Sequence, residues 1–196
     1  MIAPVNELGY GKVGCEFTYS GIEAGDKVSL FPIGNITCYK HREKNIREAL
    51  ANSASFRNDV PCVRIWHQHD MSMFVGKGLH IGFPIFELDN FTSNEIHHLK
   101  SCDRLFVCSQ WAKSVLETFG IKDVHVVQLG YNPEVFRRNV FSKDINSPYI
   151  FLNMGKWEKR KGHDILVEAF NKAFSKHDNV QLLMCNDNPF ISKPLS

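Results

Sequence analysis

Residues 149–174 read Tyr149-Ile150-Phe151-Leu152-Asn153-Met154-Gly155-Lys156-Trp157-Glu158-Lys159-Arg160-Lys161-Gly162-His163-Asp164-Ile165-Leu166-Val167-Glu168-Ala169-Phe170-Asn171-Lys172-Ala173-Phe174. The first five are a near-continuous apolar run, as a strand buried in a parallel sheet requires. A glycine-bounded basic loop follows. From Asp164 on, Leu166, Ala169, Phe170, Ala173 and Phe174 recur at spacings of three and four, which predicts a helix with one apolar stripe. Strand, glycine-rich loop and helix in that order are the opening of a crossover unit. A second apolar run over residues 180–184 closes it.

The same alternation extends toward the N-terminus. Apolar runs at 28–32, 62–66, 81–86, 104–108 and 124–128 predict strands. Between them lie helical stretches. Residues 43–51 form a short one. Thr92-Ser93-Asn94-Glu95 is a capping-box pattern that opens a helix through Leu99. Ser109 caps a helix with Trp111, Val115 and Leu116 on one face, stopped at Gly120. Phe17, Tyr19, Phe31 and Phe151 read as core, and His97-His98 as surface. The fold class expected is α/β, a Rossmann-like parallel sheet flanked by helices, with an incomplete second Rossmann-like domain. Residues 1–136 make the first domain, 137–148 a polar linker, and 149–196 the opening βαβ unit of the second. About 50 residues cannot build an adequate core alone.

Composition narrows the class of protein. The 196 residues carry 23 Lys plus Arg against 21 Asp plus Glu, a net charge of +2, with 43% hydrophobic and 22% charged residues. That is the ordinary globular mix, which excludes a disordered, collagenous or coiled-coil chain as the main state. The balance leaves no electrostatic footprint for nucleic acid. Cys15, Cys38, Cys62, Cys102, Cys108 and Cys185 show no C-x-x-C spacing, so neither a zinc knuckle nor a thioredoxin-like motif is suggested. With no secretory signal pattern and no apolar run long enough for a transmembrane segment, the expectation is reduced thiols in a cytoplasmic protein.

Four stretches could carry chemistry. Gly9-Tyr10-Gly11-Lys12-Val13-Gly14 matches G-x-G-x-x-G. An NAD site would need an acid at the end of the second strand, and Ile33-Gly34-Asn35 stands there. A turn that lets backbone approach another ligand, or a plain turn, are the other readings. His67-Gln68-His69-Asp70 follows a strand, where ligands bind in open α/β sheets. It reads as substrate hydrogen bonding, as a metal site, or as structural polar groups. Glu87-Leu88-Asp89 could bind sugar hydroxyls or orient a nucleophile, or could serve a turn and cap. Residues 155–162 offer Lys156, Lys161 and the N-terminus of a helix, a site for phosphate or diphosphate; the alternative is a solvated basic turn.

The order of five segments resembles group 1 glycosyltransferases (family 4, retaining, GT-B fold). They are Glu87-Leu88-Asp89; Cys102-Asp103-Arg104-Leu105-Phe106-Val107-Cys108-Ser109-Gln110-Trp111; Val126-Val127-Gln128-Leu129-Gly130-Tyr131-Asn132-Pro133-Glu134-Val135-Phe136; Phe151 to Glu158; and Lys161 to Phe170. The loop of residues 9–14 resembles that family's N-terminal glycine-rich loop. The resemblance implies two Rossmann-like domains, the first binding an acceptor and the second a nucleotide-diphosphate sugar. It implies that Gly9, Gly11, Gly155, Lys156 and Lys161 bind the donor, with Lys156 and Lys161 stabilising the leaving phosphate. His67, His69, Glu87 and Asp89 would then face the acceptor. No metal and no other cofactor are expected. Asn132 stands where the family often has Asp, and Lys156 where it usually has Arg. The family's Glu-x7-Glu motif would fall beyond residue 196. The expectation is therefore a shortened glycosyltransferase with little or no activity alone, with a homodimer or a missing second half-chain as the alternative partners. A non-catalytic module that dimerises or binds a partner is the alternative, and an NAD-dependent oxidoreductase the weaker one.

Overall fold

The computed structural model describes residues 1–133, 135–138 and 146–188. Glu134, residues 139–145 of the expected linker and residues 189–196 lie outside the described residues. The chain divides into two compact units, Met1–Asn132 and Pro133–Ser196.

The first unit is α/β and Rossmann-like, a six-stranded parallel sheet flanked by helices. Its strands are β1 (Ile2–Ala3), β2 (Phe31–Pro32), β3 (Cys62–Trp66), β4 (His80–Pro84), β5 (Arg104–Val107) and β6 (Val124–Val126). The spatial order is β2-β1-β3-β4-β5-β6. From β1 the chain moves outward to β2, and from β3 onward it moves the opposite way. The reversal lies between β1 and β3, and the crevice at the carboxyl ends of such strands is where open α/β sheets take ligands.

Several boundaries differ from the sequence reading. The strand expected over 28–32 shrinks to Phe31–Pro32, because the Leu30 N–H donates to Ala49 O of a neighbouring helix instead of to a strand. The strand expected over 81–86 is His80–Pro84 and stops before Phe86. The glycine-rich turn expected over 9–14 is the start of a helix, α1 (Gly9–Glu23). Three glycines lower helix propensity by about 1 kcal/mol each and hide the helix from a sequence reading. Packing overrides that cost. Gly11, Gly14, Cys15 and Thr18 are the buried residues of α1, at helical spacing. A Cβ at Gly14 would stand 2.1 Å from Pro4 O and 2.9 Å from Ala3 Cβ. The helix can lie this close to β1 only without side chains there. Val13 and Phe17 of α1 then pack on Ala3, Ile65 and Phe83, the last as an edge-to-face ring pair at 5.6 Å.

The remaining helices of the unit are α2 (Glu43–Ser53), α3 (Ser93–Lys100) and α4 (Gln110–Thr118). α2 sets Ile46 and Ala49 against Val5, Cys15 and Leu30. α3 opens with the expected capping box. The Thr92 hydroxyl accepts from Glu95 N at 3.3 Å, and the Glu95 carboxylate accepts from Thr92 N at 2.8 Å. Ser109 caps α4 by accepting from Ala112 N at 3.1 Å. Leu99, Val115 and Leu116 of these two helices meet Leu105, Val107 and Val124 of the sheet in the main core. Trp111 remains half exposed, its ring against Phe86. All six cysteines are free thiols; Cys15 and Cys62 are buried and Cys185 is exposed.

The second unit holds β7 (Tyr149–Lys156), α5 (His163–Ala173) and β8 (Val180–Asp187), the two strands parallel. Phe151 packs against Phe170 and Phe174, with ring centroids 5.8 and 5.3 Å away. It is nevertheless 39% exposed, which corrects its expected core position. One helix and two strands cannot enclose it. On the other face of β7 and β8, Ile150, Leu152, Met154 and Leu183 are 52%, 58%, 72% and 49% exposed. Among the described residues no helix is long and apolar enough to cross a membrane.

Candidate functional site

The first place is the crevice at the reversal of strand order in unit Met1–Asn132. Two features meet there: the first turn of α1 and the loop that leaves β3. The Tyr10 hydroxyl donates to Ile85 O at 2.8 Å and lies 3.1 Å from His67 Nδ1. A carbonyl only accepts, so the hydroxyl proton goes to Ile85 and the His67 contact runs from Nδ1–H to the Tyr10 oxygen. That holds neutral His67 in the Nδ1–H tautomer, with Nε2 as a proton acceptor. The Tyr10 ring also lies 5.6 Å from Trp66 and 4.5 Å from the His67 ring. His67 and His69 stack at 5.2 Å. Burial holds the His67 pKa below its ordinary value, and the charge of His69 adds to the shift.

The loop under this cluster is pinned from below. Arg64 on β3 is 4% exposed. Its Nε donates to Asp70 O at 2.5 Å, Nη1 to Met73 O at 3.1 Å, and Nη2 to the Asp70 carboxylate at 2.5 Å. Buried Gln68 donates to Glu95 Oε1 at 2.8 Å. The Glu95 carboxyl is held below its usual pKa range, first by the Thr92 backbone N–H and then by Gln68. Residues 67–70 are thus fixed through β3 and α3 together.

The structure brings His67 and His69 together and adds Tyr10 and Trp66, which sequence reasoning missed. Tyr10 was legible only as the variable position of the glycine motif. Gly9 is the glycine of that motif with open space beside it. Gly11 is buried, and a Cβ there would stand 2.1 Å from Asn6 Oδ1. Glu87 and Asp89 are exposed on the loop after β4, and the cap of α3 is Thr92, not Asp89. The end of β2 runs into Ile33, Gly34 and Asn35, with no carboxylate for a ribose. Among the described residues no group of three or more His, Cys, Asp or Glu is placed to hold a metal ion. A separate apolar groove of about 570 Å3 in this unit, lined by Phe17, Phe31, Phe56 and Phe106 among others, contains none of these residues.

The second place is the loop between β7 and α5. Gly162 has φ +65°, a left-handed conformation suited to glycine, and serves as the N-cap of α5 with no side chain to cap it. The first-turn N–H groups of a helix have no partner within it. Three successive loop carbonyls are each taken by a side chain. Asn186 Nδ2 donates to Gly155 O at 3.0 Å, His163 Nε2 to Lys156 O at 2.8 Å, and Asn188 Nδ2 to Trp157 O at 3.1 Å. Trp157 stacks on the buried His163 ring at 5.1 Å and 13°. Lys156 Nζ lies 2.6 Å from Glu158 Oε1, and Arg160 Nε 2.9 Å from Glu158 Oε2. The hydrogen bond from Lys156 is the main reason the Glu158 carboxyl sits below its usual pKa range. Lys161 follows this triad and directly precedes Gly162.

Such an arrangement can bind an anion: a loop braced by β8 and the buried His163, a helix N-terminus, and a cluster of cations. The crevice of the first unit can hold a hydroxyl compound against aromatic rings, with His67 Nε2 as acceptor. No family model, no curated protein and no solved structure matches the chain.

Proposed function

We propose that this chain carries the acceptor-side domain and the opening of the donor domain of a retaining, GT-B type glycosyltransferase. In this reading the loop of residues 155–162 takes the diphosphate of a nucleotide sugar. The crevice around His67 and His69 takes an acceptor hydroxyl, and the exposed loop after β4 that carries Glu87 and Asp89 is proposed to contact the rest of the acceptor. The observation that carries the reading is the braced basic loop at the N-terminus of α5. Lys156 and Lys161 would stabilise the leaving diphosphate through charge and hydrogen bonds, as transfer of a glycosyl group requires. The test is ligand-detected NMR with UDP, GDP, ADP and several nucleotide sugars on the full chain and on Lys161→Ala. Binding of a nucleoside diphosphate that is lost in the variant is expected. Binding that survives in Lys161→Ala would remove the donor site from this loop.

A second reading has its own support. The open face formed by Ile150, Leu152, Met154 and Leu183 is apolar and contiguous across β7 and β8, since Leu152 pairs with Leu183. Parallel sheets are covered on both faces. A non-catalytic module that dimerises through this face is therefore the alternative. Light scattering after gel filtration separates the two: a dimer reduced to monomer by Leu152→Lys supports it, and a wild-type monomer excludes it.

A further inference from the structure

The crevice of the first unit offers a ligand one ring nitrogen, and the fold decides what that nitrogen can do. Ile85 N donates to Trp66 O at 3.2 Å, which ties the loop after β4 to the end of β3 and fixes Ile85 O in place. Tyr10 reaches this carbonyl from α1, its hydroxyl oxygen 2.8 Å from Ile85 O. Two oxygens that close need a proton between them, and the hydroxyl has only one. Toward His67 Nδ1, 3.1 Å away, the Tyr10 oxygen therefore presents a lone pair, and Nδ1 carries the proton. No described residue bonds to Nε2 of His67. The buried side-chain atoms without a partner lie elsewhere, on His80, His163 and Asn186, so Nε2 faces open space. The rings around His67 are Tyr10 from α1, and Trp66 and His69 from its own segment. Burial, with the charge of His69, keeps the imidazole neutral at neutral pH.

We propose that Tyr10 is a positioning residue that sets the ligand class of this crevice: it presents His67 Nε2 as a bare acceptor, so the crevice takes a group through an O–H or N–H donor and turns away carbonyl, carboxylate and phosphate oxygens. This rests on the reading of the crevice as the acceptor side of the protein. With Nδ1 committed to Tyr10, the neutral imidazole has no second proton to offer. An oxygen lone pair brought to Nε2 meets another lone pair and forfeits the hydrogen bond it had in water. A hydroxyl donates to Nε2 and keeps its bond. Tyr10 acts through His67 and need not touch the ligand.

The experiment is NMR at pH 8 on the full nitrogen-labelled chain, as wild type, Tyr10→Phe and His67→Ala. Long-range correlations between the ring nitrogens and the carbon-bound ring protons read the tautomer, and His67→Ala identifies the His67 signals. Tyr10→Phe keeps an aromatic ring beside Trp66 and His67 and removes only the oxygen. The ligand probes are benzyl alcohol and benzoate, which share a ring and differ in carrying a hydroxyl donor or a carboxylate. In wild type His67 is in the Nδ1–H form, and benzyl alcohol binds about tenfold more tightly than benzoate, the scale of one hydrogen bond. In Tyr10→Phe the ring takes both tautomers and the preference falls to about two- to threefold, as it does in His67→Ala. His67 in the Nε2–H form in wild type, or an unchanged tautomer or preference in Tyr10→Phe, overturns the inference and leaves the acceptor crevice standing. Binding of neither probe by wild type overturns both.

Discussion

Arg64→Leu is expected to lower the stability of the first unit by about 3 kcal/mol, measured by urea unfolding followed by circular dichroism. The guanidinium is almost wholly buried and holds three oxygens of the loop after β3. Leucine fills part of the volume but leaves Asp70 O and Met73 O without their donors. It also leaves the Asp70 carboxylate without its cation. Breaking a buried pair from one side costs about 3–5 kcal/mol. The lower end applies because the Asp70 side chain keeps 27% exposure to water. Asp70→Asn should cost less, since Arg64 retains both carbonyl contacts. A loss below about 1 kcal/mol in Arg64→Leu, the scale of a surface pair, would mean that the loop carrying His67 is held by something else.

Gly14→Ala should destabilise by about 3 kcal/mol, at the upper end for overpacking. The added methyl meets backbone, Pro4 O at 2.1 Å, which cannot rotate away as a side chain could. α1 must lift from β1, and with it Tyr10 from His67. Gly9→Ala is the internal comparison. Its Cβ would meet nothing within 4 Å, and Gly9 is the first residue of α1, so the change should be near neutral, within about 0.5 kcal/mol. The glycine motif thus divides by role. Two of its glycines serve close packing and one faces open space. Equal effects at positions 9 and 14 in the same unfolding assay would refute that division.

This division shows why the motif misleads a reading of residues alone. G-x-G-x-x-G implies a turn and a ligand, and the helix that begins at its first glycine is invisible in propensity. The helices of the chain whose signals are local were legible. Thr92 with Glu95, and Ser109 ahead of Ala112, cap their helices within three residues. Leu99, Val115 and Leu116 fall on the buried sides their spacing assigns. Phe151 is different. Its apolar run marks a buried strand, yet among the described residues only α5 covers its side of β7 and β8, and one helix over two strands leaves the ring 39% exposed.

The sequence by itself determined the alternation of strands and helices, the parallel character of the sheet, and the basic loop at the head of α5. These are matters of period, capping and composition within a few residues of one another. Only the tertiary structure decided that the strand order reverses between β1 and β3. It alone decided that Tyr10 meets His67 across 57 positions, that Arg64 is buried under the loop it pins, and that Glu158 turns back onto Lys156 and Arg160. The reason is physical. A local pattern is set by the backbone's own geometry. Which distant side chains meet is set by how the sheet winds and how closely its helices can pack, and a single Cβ at Gly14 would be enough to change it.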